Sequence, residues 1–289
     1  MTFTHLHVHT PFSFLDGAAD IPDLVRAAAR WEMPALAMTD HNNVSAAARF
    51  HKSCAAYGIK PIIGAELTLV GGYHLTLLAQ NARGYGSICR LITHAHMSQP
   101  RRQPATTVEA LREHNEGVIC LSGCRRGKIA SLLLAREYEE AENAARELRD
   151  IFGSERFLLE LQRVGLPGTR RLHAGMVELA KRLDLDLVAT NNAHHLRWRD
   201  FPTHDALTCA RTLTTLDEVH PERRLNAQCM FRSPAEMEKL FADCPEAVEN
   251  AGRVAEMCET GLRPGEYHLP AFDLPAGETA PEMLRKLVY

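Results

Sequence analysis

"HLHVHT", His5–Thr10, sets three imidazoles at alternate positions of a short apolar stretch close to the amino terminus. Extended backbone sends alternate side chains to opposite faces, so His5, His7 and His9 share one side while Leu6 and Val8 share the other. A strand facing a core ordinarily takes Val or Ile there, and a surface strand with solvated histidines is the plain alternative. The rest of the chain lifts His7 and His9 above that alternative. Further short apolar runs each carry a ligand-type residue at or near the carboxyl end. Asp40 and His41 end "ALAMTDH" (Ala35–His41), Glu66 lies in "PIIGAEL" (Pro61–Leu67), Cys124 ends "GVICLSGC" (Gly117–Cys124), and Asn192 and His194 close "DLVATNNAH" (Asp186–His194).

Between the apolar runs lie segments such as "IPDLVRAAARWE" and "PGTRRLHAGMVELAKRL", with apolar residues at three- and four-residue steps, the period of an amphipathic helix. Strand and helix alternate from Phe3 to about residue 199, which predicts an α/β fold with seven strands in a mostly parallel sheet or barrel. Barrels and open parallel sheets build their sites at the carboxyl ends of the strands, so the ligand-bearing ends are expected to converge. "EYEEAENAARELRD" (Glu137–Asp150) reads as a solvated helix face. Beyond residue 199 helices follow without strands, among them "SPAEMEKLF", where Ser233 can cap, Pro234 takes the first helical position and Glu236 completes a capping box. The expected division is therefore a barrel over residues 1–199 and a helical extension over 200–289. Its last stretch, "LPAFDLPAGETAPEMLRKLVY", is a Pro/Gly-rich connector into a helix that stops after two turns, as a fragment of a longer chain would.

The 289 residues are 45% hydrophobic and 24% charged, with a net charge of -3, so no overall basic field attracts nucleic acid and any such contact must be local. No run approaches the roughly 18 apolar residues of a membrane span, and the amino terminus lacks a secretory layout, so a cytoplasmic protein without a membrane partner is expected. Eight cysteines without a CxxC pair read as reduced thiols. Neither a Walker loop nor GxGxxG is present.

Imidazole, carboxylate and thiolate together suit Zn²⁺, with Mn²⁺ or Fe²⁺ where oxygen ligands dominate. More ligands are on offer than one tetrahedral ion can use, which points to two or three ions. Ions about 3.5 to 4 Å apart clamp the attacking and leaving oxygens of a phosphoester and activate water, so metal-assisted phosphoester hydrolysis is the reaction class expected. Each candidate also has a plainer reading: Glu66 as the partner of an arginine, Asp40 as a helix N-cap, Cys124 as a small buried apolar group, Asp16 in "FSFLDG" as a turn residue.

Together, "HLHVHT", "FSFLDGA", "ALAMTDH", "PIIGAEL", "HLTLLAQNARGYGSICRLI", "EGVICLSGC", "LELQ" and "ATNNAHHL" resemble the PHP (polymerase and histidinol phosphatase) domain. The form they resemble stands at the amino terminus of bacterial DNA polymerase III alpha subunits, C-family polymerases, and the resemblance covers essentially the whole chain. It implies a distorted (β/α)7 barrel with a C-terminal helical extension, leading towards a polymerase palm domain that this chain does not contain. Up to three metal ions are implied at the strands' carboxyl ends. Carried over motif by motif, the ligands are His7, His9, Asp16, His41, Glu66, Cys124 and His194. His96 is taken between Glu66 and Cys124, where His94 and Gln103 also compete, and Asp16, Asp40 and His41 take the catalytic roles. Asn192 stands where many members have aspartate, and a neutral amide cannot bridge ions or take a proton as a carboxylate can; together with "SGCRRG" it leans towards the error-prone branch. The implied activity is 3'–5' exonuclease or broader phosphoesterase hydrolysis in DNA replication or repair. A catalytically silent metal module that braces the polymerase or docks a proofreading subunit is the first alternative, and a free-standing histidinol-phosphate-type phosphatase the second. Implied partners are DNA, the remainder of the polymerase chain, a proofreading subunit and a sliding clamp. Arg101, Arg102, Arg125, Arg126 and Lys128, basic loop residues, are the candidates for holding DNA.

Overall fold

In the computed structural model, which describes residues 3–260, 262 and 272–289, six strands form one curled sheet in sequence order. Helix α1 (Ile21–Arg30) has Asp20 as its N-cap, the carboxylate accepting from the Ile21 amide, and buries Ile21, Leu24, Val25 and Ala28. Strand β1 (Ala35–His41) comes next, then α2 (Ala47–Ala55) and β2 (Lys60–Leu69), which pairs with β1 in parallel. Every residue of β1 but the last is buried, the uninterrupted pattern of a strand covered on both faces.

The alternation expected from the sequence breaks at the next step. Strand β3 (Tyr73–Ala79) follows β2 with no helix between, and runs antiparallel both to β2 and to β4 (Val118–Leu121). Gly71 and Gly72 join the two strands with φ of 98° and 81°, the left-handed backbone that a tight hairpin turn requires. The amino end of β3 therefore lies beside the carboxyl ends of β1 and β2. Helices α3 (Ala82–Met97) and α4 (Val108–Glu113) lead to β4; α5 (Lys128–Ala135) and α6 (Tyr138–Phe152) lead to β5 (Phe157–Gln162); α7 (Thr169–Leu183) leads to β6 (Leu187–Thr190). The β4–β5 and β5–β6 pairings are again parallel. "EYEEAENAARELRD" lies in α6 and keeps its Glu142–Arg146 pair, but it is not solvated all round, because Ala141, Ala144, Ala145 and Leu148 are buried.

Seven strands are predicted and six form among the described residues; extended backbone takes the seventh place. The amides of Ala37 and Thr39 donate to the carbonyls of His5 (3.0 Å) and Val8 (2.8 Å), while His9 donates to Ala193 (2.8 Å) and Ala193 to His7 (3.0 Å). The amino-terminal segment thus bridges β1 to the end of β6 and closes the ring, so the facing edges of both strands find partners.

Beyond β6 the described residues form four α-helices: α8 (Phe201–Thr212), α9 (Pro234–Leu240), α10 (Pro245–Met257) and α11 (Ala280–Val288). Ser233 and Glu236 form the capping box of α9. Helix α10 lies against β6, where Asn250 donates to the Leu187 carbonyl at 2.8 Å. Phe231, Met237, Phe241 and Val254 join the same core as Leu36, Ile62 and Val188. His5 belongs to this seam: its ring stacks on Phe231 at 4.3 Å and its Nε2 lies 2.8 Å from the Arg232 carbonyl. Burial lowers its pKa to about 4, so it is a neutral core residue tying the amino-terminal segment to the extension. The connector's first residues, 269–271, lie outside the described residues. No helix among those described is long and apolar enough to cross a membrane.

Candidate metal centre

Three sets of ligand atoms each lie within 4.8 Å of one another: His9, Asp16, His41 and His194; His7, His9 and Glu66; His41, Glu66 and His74. His9, His41 and Glu66 each belong to two sets, so the sets interlock in one site. At its centre, Glu66 Oε2 lies 2.6 Å from His7 Nε2 and 3.8 Å from His9 Nε2. Its Oε1 lies 3.1 Å from His41 Nδ1 and also meets His74 Nδ1. Asp16 Oδ2 lies 2.8 Å from His41 Nε2 and 3.2 Å from His194 Nε2.

Two carboxylates among five imidazoles divide the charge unevenly. Burial opposes a proton on His7, but Glu160 and Glu66 outweigh it and raise the pKa to about 9. Burial likewise opposes a proton on His41, which Glu66 and Asp16 raise to about 10. His9 goes the other way: burial and the neighbouring His41 lower it to about 3. His194 is held well below its usual value by burial, Arg224 and His9. Burial alone would push Glu66 up; His74, His41 and His7 override it and keep the carboxyl well below its ordinary range. Carboxylates thus favour positive charge at His7 and His41, the same field that would draw in a cation.

The supporting residues explain why the ligands hold still. Glu160, on β5, accepts from His7 Nδ1 at 2.7 Å and from Thr190 Oγ1 at 2.5 Å. Such a carboxylate fixes the tautomer that leaves Nε2 for an ion. Asp40 does not reach the cluster: its oxygens accept from the Thr10 amide (2.7 Å), Thr10 Oγ1 (2.7 Å) and Ser13 Oγ (2.6 Å). Ser13 Oγ in turn lies 2.9 Å from His9 Nδ1, so Asp40 orients His9 at one remove and is no helix cap. The loop from Thr10 to Asp16 folds tightly on itself. A Cβ on Gly17 would lie 1.9 Å from the Thr10 carbonyl oxygen, so only glycine lets that loop close and present Asp16.

Cys124 Sγ sits 3.6 Å from His74 Nδ1, and burial, with Glu66 next, raises its thiol pKa well above the usual value. A Cβ on Gly123 would lie 2.2 Å from the His74 carbonyl oxygen; this close approach seats the Cys124 turn against the start of β3. Asn192 adopts a left-handed φ of 45°, and its buried Oδ1 has no hydrogen-bond partner. A buried oxygen without a partner, on a residue that lines the same cavity as Asp16, Glu66 and His194, fits a metal ligand, as does the donor set as a whole.

Not every expected residue is brought in. His96 lies on α3, outside the sheet, with Nε2 2.9 Å from the Asn42 carbonyl, and it joins none of the three ligand sets. His74, which sequence reasoning passes over, is there instead. A cavity of about 1230 Å³ opens over the cluster, lined by Asp16, His41, Glu66, His74, Cys124 and His194. Of the expected basic residues Arg102, Arg125 and Arg126 line it, whereas Arg101 and Lys128 do not; Lys128 faces Glu147 at 3.9 Å. The extension adds Arg211, Arg223 and Arg224 to the rim, three arginines that nothing in the strand pattern signals.

Against known proteins, the sequence profile of the PHP domain matches residues 5–164. An error-prone DNA polymerase of Symbiobacterium thermophilum is 47% identical over 305 aligned positions, covering all of this chain and 28% of that protein. A DNA polymerase III subunit alpha of Thermus aquaticus is 36% identical over 312 positions, again covering the whole chain, and 26% of its own length. The chain therefore spans about a quarter of these relatives. Among solved structures, a candidate metal-dependent phosphoesterase of Bifidobacterium adolescentis aligns with 66% of this chain and 87% of its own at 15% identity and a TM-score of 0.46.

Proposed function

This chain belongs to the PHP domain family, and on that footing we propose that its buried cluster is a multinuclear metal centre that hydrolyses phosphodiester bonds at the 3' end of DNA. The observation that carries this reading is the interlocking of three ligand sets through His9, His41 and Glu66. The ligands are His7, His9, Asp16, His41, Glu66, His74, Cys124, Asn192 and His194, a mixed nitrogen, oxygen and sulfur set suited to two or three Zn²⁺ ions, with Mn²⁺ or Fe²⁺ as alternatives. Bound ions supply Lewis acidity and a water whose pKa falls towards about 7. Asp16, at the cavity wall, ligates through one carboxylate oxygen and keeps the other to take the proton that attack releases, while His41 serves as a ligand. Asp40 and Glu160 act through the histidines they hold. The barrel (residues 1–199) and extension (200–289) would work as one part of a longer polymerase chain, on DNA, with a sliding clamp and a proofreading subunit as further partners. A second reading, a silent metal module, draws on the neutral Asn192 and on Arg224, whose Nη2 lies 2.8 Å from His194 Nε2.

Labelled primer–template DNA incubated with metal-reconstituted protein separates the two. The hydrolytic reading expects 3'-end shortening by the wild type and none by the protein with His7→Ala and His9→Ala together. Equal degradation by both, or by neither, defeats it.

A further inference from the structure

Two residues at the cavity mouth have exposures and charges that the metal cluster does not explain. Phe14 is 72% exposed although residues on either side of it in the loop are pinned: Ser13 to Asp40 and His9, Asp16 to His41. Phe12 packs against the core while Phe14 does not, and Leu15 takes a left-handed φ of 55°, a conformation that costs free energy outside glycine. The short, fixed loop thus holds an aromatic face over the cavity that it helps to line.

Arg224 is the second. Its half-buried guanidinium places Nη2 2.8 Å from His194 Nε2 and Nη1 3.1 Å from Cys229 Sγ. Its neighbours on the rim have acidic partners, Arg211 with Glu222 and Arg223 with Asp205, but among the described residues no carboxylate pairs with Arg224. Asp16 and Glu66 favour its charge from beyond ion-pair distance, and its planar fork is left to match two phosphate oxygens. His194 Nδ1 lies 2.8 Å from the Asn192 carbonyl, so the ring donates there and offers its Nε2 lone pair to Arg224. An ion on His194 takes that same lone pair and frees Nη2 for an anion beside it.

We propose that Phe14 and Arg224 form a nucleotide subsite: Arg224 holds the phosphate next to the metal cluster and Phe14 stacks on the attached base. The proposal rests on the metal-centre reading and names the residues that would hold the terminal nucleotide there. Stacking tolerates any base, because each has a π face, so the subsite reads a nucleotide without reading sequence.

The test is binding, measured by calorimetry on the metal-loaded full chain with thymidine monophosphate and, separately, inorganic phosphate. Phe14→Ala is expected to weaken the nucleotide by about tenfold and leave phosphate unchanged; Arg224→Gln is expected to weaken both by about tenfold or more. Arg224→Lys, with charge but no fork, should fall between. Metal content of each variant is expected to match the wild type. The proposal is overturned if Phe14→Ala binds the nucleotide like the wild type, if Arg224→Gln binds phosphate like the wild type, if the wild type binds neither probe, or if either variant loses its metal. Intact binding with no DNA shortening would instead defeat the hydrolytic reading and leave the subsite standing.

Discussion

Protein with His7 and His9 both changed to alanine is expected to lose more than about a hundredfold in affinity for Zn²⁺ or Mn²⁺, since losing even the partner of a ligand costs about 10- to 100-fold. His9 belongs to two ligand sets and His7 to the one that both share with Glu66, so the pair supplies donors on both sides of the site. The change also leaves Glu160 and Glu66, both buried, facing each other across a space from which the intervening imidazole has gone. Two buried carboxylates without a cation cannot both stay ionised cheaply, and the variant's acids should move up in pKa. Elemental analysis after dialysis against metal-free buffer reads the result. Wild-type metal content in the double variant would refute the site.

Metal uptake should release about two protons near pH 7. Ligation needs neutral imidazole, whereas the ion-free protein keeps His7 protonated to about pH 9 and His41 to about pH 10. Apparent affinity should therefore rise by about a hundredfold per pH unit through neutrality and level off as the pH passes those two values. For stability of the ion-free fold the same two groups act in the opposite sense. Their folded pKa values lie above the unfolded 6.5, so their contribution is complete below that pH and is lost as pH rises through about 9 to 10. Calorimetric titration with Zn²⁺ in two buffers of different ionisation enthalpy counts the protons. Heats that do not depend on the buffer would mean that these histidines are already neutral and that the charge reading is wrong.

Much of this arrangement is legible in the chain, and the parts that are not have physical reasons. His7, His9, His41, Glu66 and His194 can be picked out because each sits where parallel strands end, a place that packing does not reserve for imidazole or carboxylate. His74 escapes that logic. In a parallel strand it would stand at the far end of the sheet; β3 runs antiparallel, and its start arrives beside Glu66. The signal is the Gly71–Gly72 pair between two apolar runs, which marks a hairpin rather than a helical crossover. Glu160 is equally visible as an acid inside the buried run "FLLELQ", but its task is to hold His7, and a strand pattern says only that such an acid needs a partner. Arg224 has no signal at all, because the loop carrying it has no period and meets the barrel mouth only once the extension has folded back. His96 shows the converse: chain position suggests a ligand, and the helix axis carries it outside the sheet.

Whether groups distant in sequence gather to hold several cations can be seen in crystals of the protein grown with Zn²⁺ or Mn²⁺ and measured on both sides of the metal's absorption edge. Two or three anomalous peaks are expected inside the cavity, each about 2.0 to 2.3 Å from ligand atoms among His7, His9, Asp16, His41, Glu66, His74 and His194. Ions found only at surface histidines, with no peak among those residues, would contradict that gathering.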